Sequence, residues 1–233
     1  TANTLNTAHS YDTFGTYVVR LIATSNFGCK DTITKNATVH PMPLPAFKVN
    51  KQSQCLNNQN FIFTNLSTIG KDSFTSTWML GEKDSVKTKN ASKQFKTASI
   101  FKVALILKSN KGCIDSTSMK VKIFPKPMPQ YTVNDSTQCI NGQAFNFTNT
   151  SSILSGSMTY SWNLGNGFKT NNTPNNYRYA NYKVYKVSLT ATSDSGCIDS
   201  FSRSTEVYPK PASYITANDS GQCVNSNLFL FKG

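Results

Sequence analysis

The residues with the greatest capacity for chemistry are six cysteines, and they occupy two repeating positions in the chain. One set follows glycine and the other follows glutamine. Successive members of each set are separated by the same 84-residue interval: Cys29, Cys113 and Cys197 after Gly, and Cys55, Cys139 and Cys223 after Gln. There is no Cys-x-x-Cys pair and no nearby histidine, so the pattern predicts disulfides rather than metal binding. Disulfides persist outside the reducing cytosol, which predicts an extracellular or cell-surface location.

Other groups that support catalysis are scarce. The only histidines, His9 and His40, are far apart in sequence, and no paired carboxylates or phosphate-cradling glycine loop are present. Acidic residues are sparse and dispersed, whereas a calcium site needs clustered oxygen ligands. The sequence therefore predicts no enzyme, no catalytic or metal-binding residues and no cofactor.

The aspartates form one unusual pattern, because all nine of them directly precede serine or threonine. Such dipeptides suit turns, where the carboxylate accepts hydrogen bonds from nearby backbone N–H groups. This local explanation is one of two that the residues leave open.

The elements that must position the cysteines are β-strands. Tyr185, Val187 and Leu189 alternate with polar residues, which is the period-2 pattern of a strand with one buried face. Trp78 and Trp162 are separated by the same interval as the cysteines. A tryptophan that occurs once per repeat within a strand pattern is predicted to lie in the core rather than to stack on sugars.

The 84-residue register runs through the whole chain without a gap and predicts a tandem array of small domains. Proline-rich segments around residues 41–45, 125–129 and 209–211 predict short, stiff joints. The predicted order is the C-terminal half of a module with a linker (1–44), two complete modules (45–128 and 129–212), and the first strands of another (213–233). No apolar run of membrane-spanning length occurs, and no signal peptide is recognised. The chain is therefore expected to be a segment of a longer protein that is not embedded in a membrane.

The run from Tyr160 to Gly167, with a later tyrosine and the Tyr-x-Val-x-Leu of Tyr185–Leu189, resembles the PKD family of immunoglobulin-like domains. The Gln-Cys and Gly-Cys-x-Asp-Ser motifs resemble PKD repeats of large Bacteroidota surface proteins, gliding-type adhesins among them. The family's usual Trp-Asp-Phe-Gly-Asp-Gly motif is altered here, so no role is carried over for its acidic residues. The resemblance implies an all-β fold of tandem immunoglobulin-like sandwich modules.

The resemblance also implies a function. The chain is expected to be a structural or adhesive segment of a long secreted or surface-anchored fibre, with neighbouring repeats as its partners. The alternative is a set of accessory carbohydrate-binding or spacer modules from an extracellular hydrolase. Asp-Ser/Thr followed by certain residues resembles the O-glycosylation signal of Bacteroidota extracytoplasmic proteins, and this is the second explanation of the aspartate pattern. The best-fitting candidate sites are Thr32, Ser85, Ser116 and Ser136.

The implied topology bears on disulfide pairing. In an immunoglobulin-like module the A–B loop, with Cys55, and the F–G turn, with Cys113, lie at opposite ends. The favoured pairing is therefore Cys55–Cys197, an inter-module staple. Pairing within a module, Cys55–Cys113 and Cys139–Cys197, stays open because the A–B loop has freedom to fold differently. A Cys29–Cys55 bond would join the far ends of consecutive modules.

The net charge of +13 comes from lysines that are scattered rather than clustered with aromatics, which argues against nucleic acid as a partner. Several lysines, such as Lys102, Lys120, Lys122 and Lys186, fall on predicted outward strand positions. They are interpreted as a solvated face that also discourages edge pairing. An acidic polysaccharide or an anionic cell-envelope surface is the second interpretation.

Overall fold

The computed structural model describes residues 6–225 and 227–233, which form nineteen β-strands and no helix. The chain divides into two compact units, Thr1–Pro125 and Lys126–Gly233. Each unit contains one complete two-sheet module, called module I in the first unit and module II in the second. Their strands match the period-2 pattern, so the all-β fold class predicted from the sequence is confirmed.

The first unit opens with an antiparallel hairpin of β1 (Gly15–Thr24) and β2 (Lys30–Val39). Most of its side chains are exposed, including Leu21 and Ile33, which are 65% and 66% accessible. The hairpin keeps its backbone hydrogen bonds but buries little apolar surface.

Module I has two sheets. The smaller has the order β3-β5-β8 and consists of β3 (Phe47–Val49), β5 (Phe61–Asn65) and β8 (Ala91–Lys93). The larger has the order β4-β10-β9-β6-β7. Its strands are β4 (Ser53–Cys55), β6 (Phe74–Leu80), β7 (Ser85–Val86), β9 (Ile100–Ser109) and β10 (Ile114–Phe124). Alternate residues of β9, from Val103 to Leu107, are fully buried, as the period-2 pattern requires.

Module II repeats this plan. One sheet pairs β11 (Tyr131–Val133) with β13 (Phe147–Asn149). The other has the order β12-β17-β16-β14-β15. Its strands are β12 (Thr137–Cys139), β14 (Met158–Asn163), β15 (Lys169–Thr170), β16 (Val184–Ser193) and β17 (Ile198–Tyr208). The second unit ends with β18 (Thr216–Ala217) paired to β19 (Phe231–Lys232).

Module II lacks a counterpart of β8, and a single bridge between Phe145 and Tyr177 takes its place. Pro174 directly precedes the positions that correspond to β8, 175–177, and has no N–H to donate to a ladder. Asn176 then adopts a left-handed φ of 52°. These two residues interrupt the extended backbone, so the strand is reduced to one bridge.

The position of Cys55 differs from the sequence expectation. The implied topology predicts a loop between two strands here, but Cys55 ends β4, which runs parallel to β10 in the larger sheet. After β3 the chain crosses from one sheet to the other and gains hydrogen bonds there. Cys139 occupies the same position in β12, parallel to β17.

Candidate functional site

The two cysteines of a complete module lie at opposite ends of one long strand. In module I, Cys55 is opposite Phe124 at the end of β10, whereas Cys113 directly precedes Ile114 at its start. Ten residue steps at about 3.3 Å separate these ends by roughly 33 Å, and a disulfide needs Cα atoms within about 7 Å. This geometry is incompatible with the in-module alternative Cys55–Cys113.

Module II has the same arrangement. Cys139 is opposite Tyr208, and Cys197 directly precedes Ile198 at the other end of β17. The alternative Cys139–Cys197 is therefore incompatible with the strand for the same reason. We call the two positions the Gln-Cys end and the Gly-Cys end of a module.

The cysteines also differ in oxidation state. Cys55 and Cys197 are each disulfide-bonded, and Cys197 is only 1% exposed. The other four are free thiols, of which Cys29, Cys139 and Cys223 are exposed and Cys113 is half-buried.

Each Gly-Cys end is a tight turn built by a serine four residues before the cysteine. The backbone N–H of Cys113 donates to Ser109 Oγ at 3.0 Å, and that of Cys197 donates to Ser193 Oγ at 3.1 Å. The intervening glycine has a φ of 87° in module I, a conformation that side chains with a Cβ disfavour. The turn holds the cysteine backbone in a defined position.

The glutamine of each Gln-Cys motif is a backbone brace that sequence reasoning missed. Gln54 Oε1 accepts from the N–H of Asn60 at 2.9 Å, and its Nε2 donates to the same residue's carbonyl at 3.1 Å. Gln138 and Gln222 bind Ala144 and Leu228 in the same two-sided way. These two hydrogen bonds hold together the two ends of the loop that contains the cysteine. The signal of this brace in the sequence is the glutamine itself, which precedes the cysteine in every repeat.

A second amide brace lies in each core. Gln143 is 3% exposed, and it donates to the carbonyl of Tyr179 at 2.9 Å while accepting from its N–H at 2.9 Å. Gln59 binds Phe95 in the same way in module I. These buried amides provide hydrogen-bond partners for backbone groups that would otherwise be unpaired.

Trp78 and Trp162 are fully buried within the cores of modules I and II. Their rings are therefore closed to a sugar ligand. The Trp78 indole N–H donates to the carbonyl of Thr88 at 3.2 Å, whereas the buried Trp162 indole N–H has no partner among the described residues.

The aspartates do not share one local role. Asp31 and Asp115 lie on strands, and each accepts from the N–H of the next residue, at 2.8 and 2.7 Å. Asp135 accepts from the N–H of Thr137 at 3.0 Å in a turn. The N–H of Ser157 and the hydroxyl of Ser195 both donate to Asp194, and these bonds lower its pKa.

The four candidate glycosylation residues lie apart in the fold. Thr32 is exposed on β2, Ser85 is exposed on β7 and Ser116 is exposed on β10. Ser136 is half-buried, and its carbonyl accepts from the N–H of Glu206 at 2.7 Å. Three of the four hydroxyl-bearing residues are thus accessible at the surface.

Module I carries an open basic groove beside its larger sheet. Its lining includes Lys83, Lys93, Lys96, Lys102 and Lys120. Lys93 forms an ion pair with Asp84, and this hydrogen bond with its charge lowers the pKa of the carboxyl group.

Within residues 6–225 and 227–233, no three His, Cys, Asp or Glu side chains are grouped as metal ligands would be. Over the same residues, no helix has the length and apolar character needed to cross a membrane.

Residues 126–208 match the family model for the PKD domain. The match covers module II, and the larger sheet of module I has the same strand order one repeat earlier, so the two modules share one plan. No curated protein matches the sequence.

Similar solved structures include the PKD1 domain of Vibrio anguillarum Epp, at 15% identity and a TM-score of 0.33, covering 36% of this chain and 96% of that one. Fibronectin(III)-like modules of Clostridium thermocellum CbhA match at 14% identity and a TM-score of 0.31, over 74% of this chain and 99% of that one. A 1.5-MDa bacterial ice-binding adhesin matches at 10% identity and a TM-score of 0.32, over 77% and 70%.

Proposed function

We propose that the chain is a structural and adhesive segment of a long extracellular or surface-anchored fibre, of the kind found in the gliding-type adhesins that its motifs resemble. Its work is mechanical, since it spaces and displays an adhesive end. The observation that carries this proposal is the placement of one cysteine at each end of a module's long strand. Neighbouring repeats of the same long chain are the partners that such ends serve.

The proposed clamp is a disulfide between Cys55 and Cys197. Support comes from the disulfide-bonded state of both residues and from the opposite ends they occupy in their modules. Repeated along a fibre, the same bond would cross-link each Gln-Cys end to the Gly-Cys end of the following module. Cys29, Cys113, Cys139 and Cys223 then have their partners in repeats outside residues 1–233.

Stretching single molecules of the full 233-residue chain tests the clamp. A bond between Cys55 and Cys197 carries the pulling force directly, so the residues between them do not extend. The fully extended length is then shorter by about 500 Å, at roughly 3.5 Å per residue. We expect reductant, or Cys55→Ser, to restore this length. Non-reducing peptide mapping should identify the linked pair.

The control variant is Cys139→Ser, which removes a free thiol at the corresponding position of module II. It should leave the extended length of the oxidised chain unchanged. An oxidised chain that extends as far as the reduced one would rule out the clamp, as would a peptide linking Cys55 to Cys113.

A second test concerns the expectation that the segment has no catalytic activity and needs no divalent metal. We expect no glycan hydrolysis by the segment and a melting temperature that calcium leaves unchanged. Turnover of any glycan, or a rise of several degrees with calcium, would contradict the proposal.

A further inference from the structure

The groove of module I has a charge arrangement that edge protection does not explain. Lys102 on β9 and Lys120 on β10 are direct cross-strand partners, and both are exposed. Like charges directly opposite each other in a sheet are destabilising. β9 lies between β10 and β6, whereas β4 pairs with β10 only from Lys122 to Phe124, so Lys120 lies on a part of β10 that β4 leaves uncovered. Protection of a sheet edge therefore fits Lys120 but does not explain Lys102, and both side chains lie on the solvated face.

The groove itself has a volume of about 1160 Å³. Its floor includes Phe101, which stacks on Phe95 with ring centroids 4.2 Å apart. Gln94 and Ser99 supply polar groups among the lysines, and the carboxylates of Glu82 and Asp84 also line the groove. Of the five lining lysines, Lys93 is paired with Asp84, and the other four form no ion pair within the described residues.

Module II supplies an internal comparison, because four of the five lysine positions of the groove are uncharged there. The lysines at 83, 93, 96 and 120 correspond to Gly167, Tyr177, Ala180 and Ser204, and only the lysine at 102 persists, as Lys186. The residue opposite Lys186 is Ser204, so module II has no like-charge pair at this position. Arg178 and Lys183 of module II occupy the positions of Gln94 and Ser99, so positive charge at these positions belongs to both modules, and the Lys102–Lys120 pair is what distinguishes module I.

We propose that this groove binds an anionic polysaccharide that carries a carboxylate on each sugar. A bound carboxylate between Lys102 and Lys120 would neutralise their repulsion, and the remaining lysines would bind successive sugars. Polar groups of the rim suit sugar hydroxyls. Phe95 is only 6% exposed and one face of the half-buried Phe101 is stacked on it, so the groove offers no row of open rings for stacking successive nucleic-acid bases. This binding role extends beyond the mechanical one and does not depend on the disulfide clamp.

The test measures binding of polygalacturonate to the full chain at low salt. The double variant Lys102→Ser/Lys120→Ser copies the module II residue at one position and removes both charges. We expect its affinity to fall about tenfold or more, because two charge contacts are lost. Uncharged dextran should not bind.

The matched control is Lys87→Ser/Lys89→Ser, which removes the same charge from exposed positions of module I outside the groove. We expect its affinity to change less than about twofold, since screening weakens distant charges. Equal losses in the two variants would overturn the site, because binding would then follow net charge alone.

Two further measurements test the ligand class and the repulsion between Lys102 and Lys120. Tighter binding of dextran sulfate or duplex DNA than of polygalacturonate would overturn the assignment to carboxylates. Without ligand, the melting temperature of Lys102→Ser/Lys120→Ser should equal or exceed that of the unaltered chain, because a like-charge pair is relieved. A clear fall in melting temperature would show that the lysines support the sheet and would contradict the proposal.

Discussion

Modules I and II fill the same core positions with different chemistry. Module I has no tyrosine, and it places Phe47, Phe95 and Phe101 where module II has tyrosines. The three counterparts in module II, each one repeat later, are Tyr131, Tyr179 and Tyr185.

Each of these three tyrosine hydroxyls has a backbone partner. Tyr131 donates to the carbonyl of Val187 at 2.9 Å, Tyr179 to that of Leu164 at 2.9 Å, and Tyr185 to that of Asn181 at 2.7 Å. Module II thus adds specific polar contacts to its core, whereas module I relies on apolar packing at these positions. At these positions the two modules therefore have side chains of similar shape but different polarity.

Substitution of the glycine that follows the tryptophan-bearing strand should give the largest difference in stability loss between the two modules. A Cβ on Gly165 would lie 2.8 Å from the backbone oxygen of Lys186, whereas on Gly81 its nearest contact is the Phe101 ring at 3.6 Å. Both glycines have positive φ, 80° and 89°. We expect Gly81→Ala to cost about 1–2 kcal/mol from φ alone, and Gly165→Ala about 3 kcal/mol or more because a backbone clash is added.

Denaturant unfolding of the full chain checks this expectation. Each core holds one tryptophan, so Trp162→Phe or Trp78→Phe backgrounds leave a single reporter for one module. If both substitutions lower the free energy of unfolding equally, the strands around Gly165 must move to accommodate the added Cβ.

Alkaline pH should weaken module II selectively. Burial raises the pKa of Tyr131 and of Tyr179 to about 12, above the ordinary value of 10.0. Between pH 10 and 12 the unfolded state loses protons that the folded state keeps, so stability falls by about 1.4 kcal/mol per pH unit for each tyrosine. The contribution is complete below pH 10 and lost by pH 12.

The reporters Trp162 and Trp78 again separate the modules. Since Phe47 and Phe95 do not titrate, we expect the unfolding midpoint of module I to fall less over this range. A parallel loss in both modules would point to general charge effects, such as deprotonation of lysines.

Tyr131→Phe converts one core position of module II to that of module I. The Tyr131 hydroxyl also accepts from the N–H of Arg203 at 3.1 Å, so its removal should cost about 1–2 kcal/mol. Calorimetry of the full chain measures the loss. The reciprocal Phe47→Tyr adds a hydroxyl at the corresponding point of module I and serves as control. A neutral Tyr131→Phe would mean that the backbone groups recover partners elsewhere.

O-linked glycan should have the smallest effect on the fold and should also differ between modules. Ser85 and Ser116 of module I are exposed, whereas Ser136 of module II is half-buried. We expect mass spectrometry of native material to find glycan at Thr32, Ser85 or Ser116 with higher occupancy than at Ser136. Unmodified peptides at all four sites would leave only the local roles of the aspartates.

Much of the fold could be predicted because its signals are local or periodic. The alternation along β16 follows from side-chain geometry within one strand, and burial of Trp78 and Trp162 follows from their place in that pattern. The 84-residue register likewise needs only the residues themselves. For this reason the fold class and the repeat were predictable from one sequence.

The tertiary structure decided what depends on distant residues. Cys55 pairs with Phe124, and Lys102 faces Lys120, only because separate strands meet in one sheet. The two-sided bonds of Gln54 and Gln143 likewise depend on loops that return to the right distance. Composition and period say which face a residue takes, but strand order and register decide its neighbour across the sheet. The separation of the two cysteines of a module and the basic groove of module I both arise at that level.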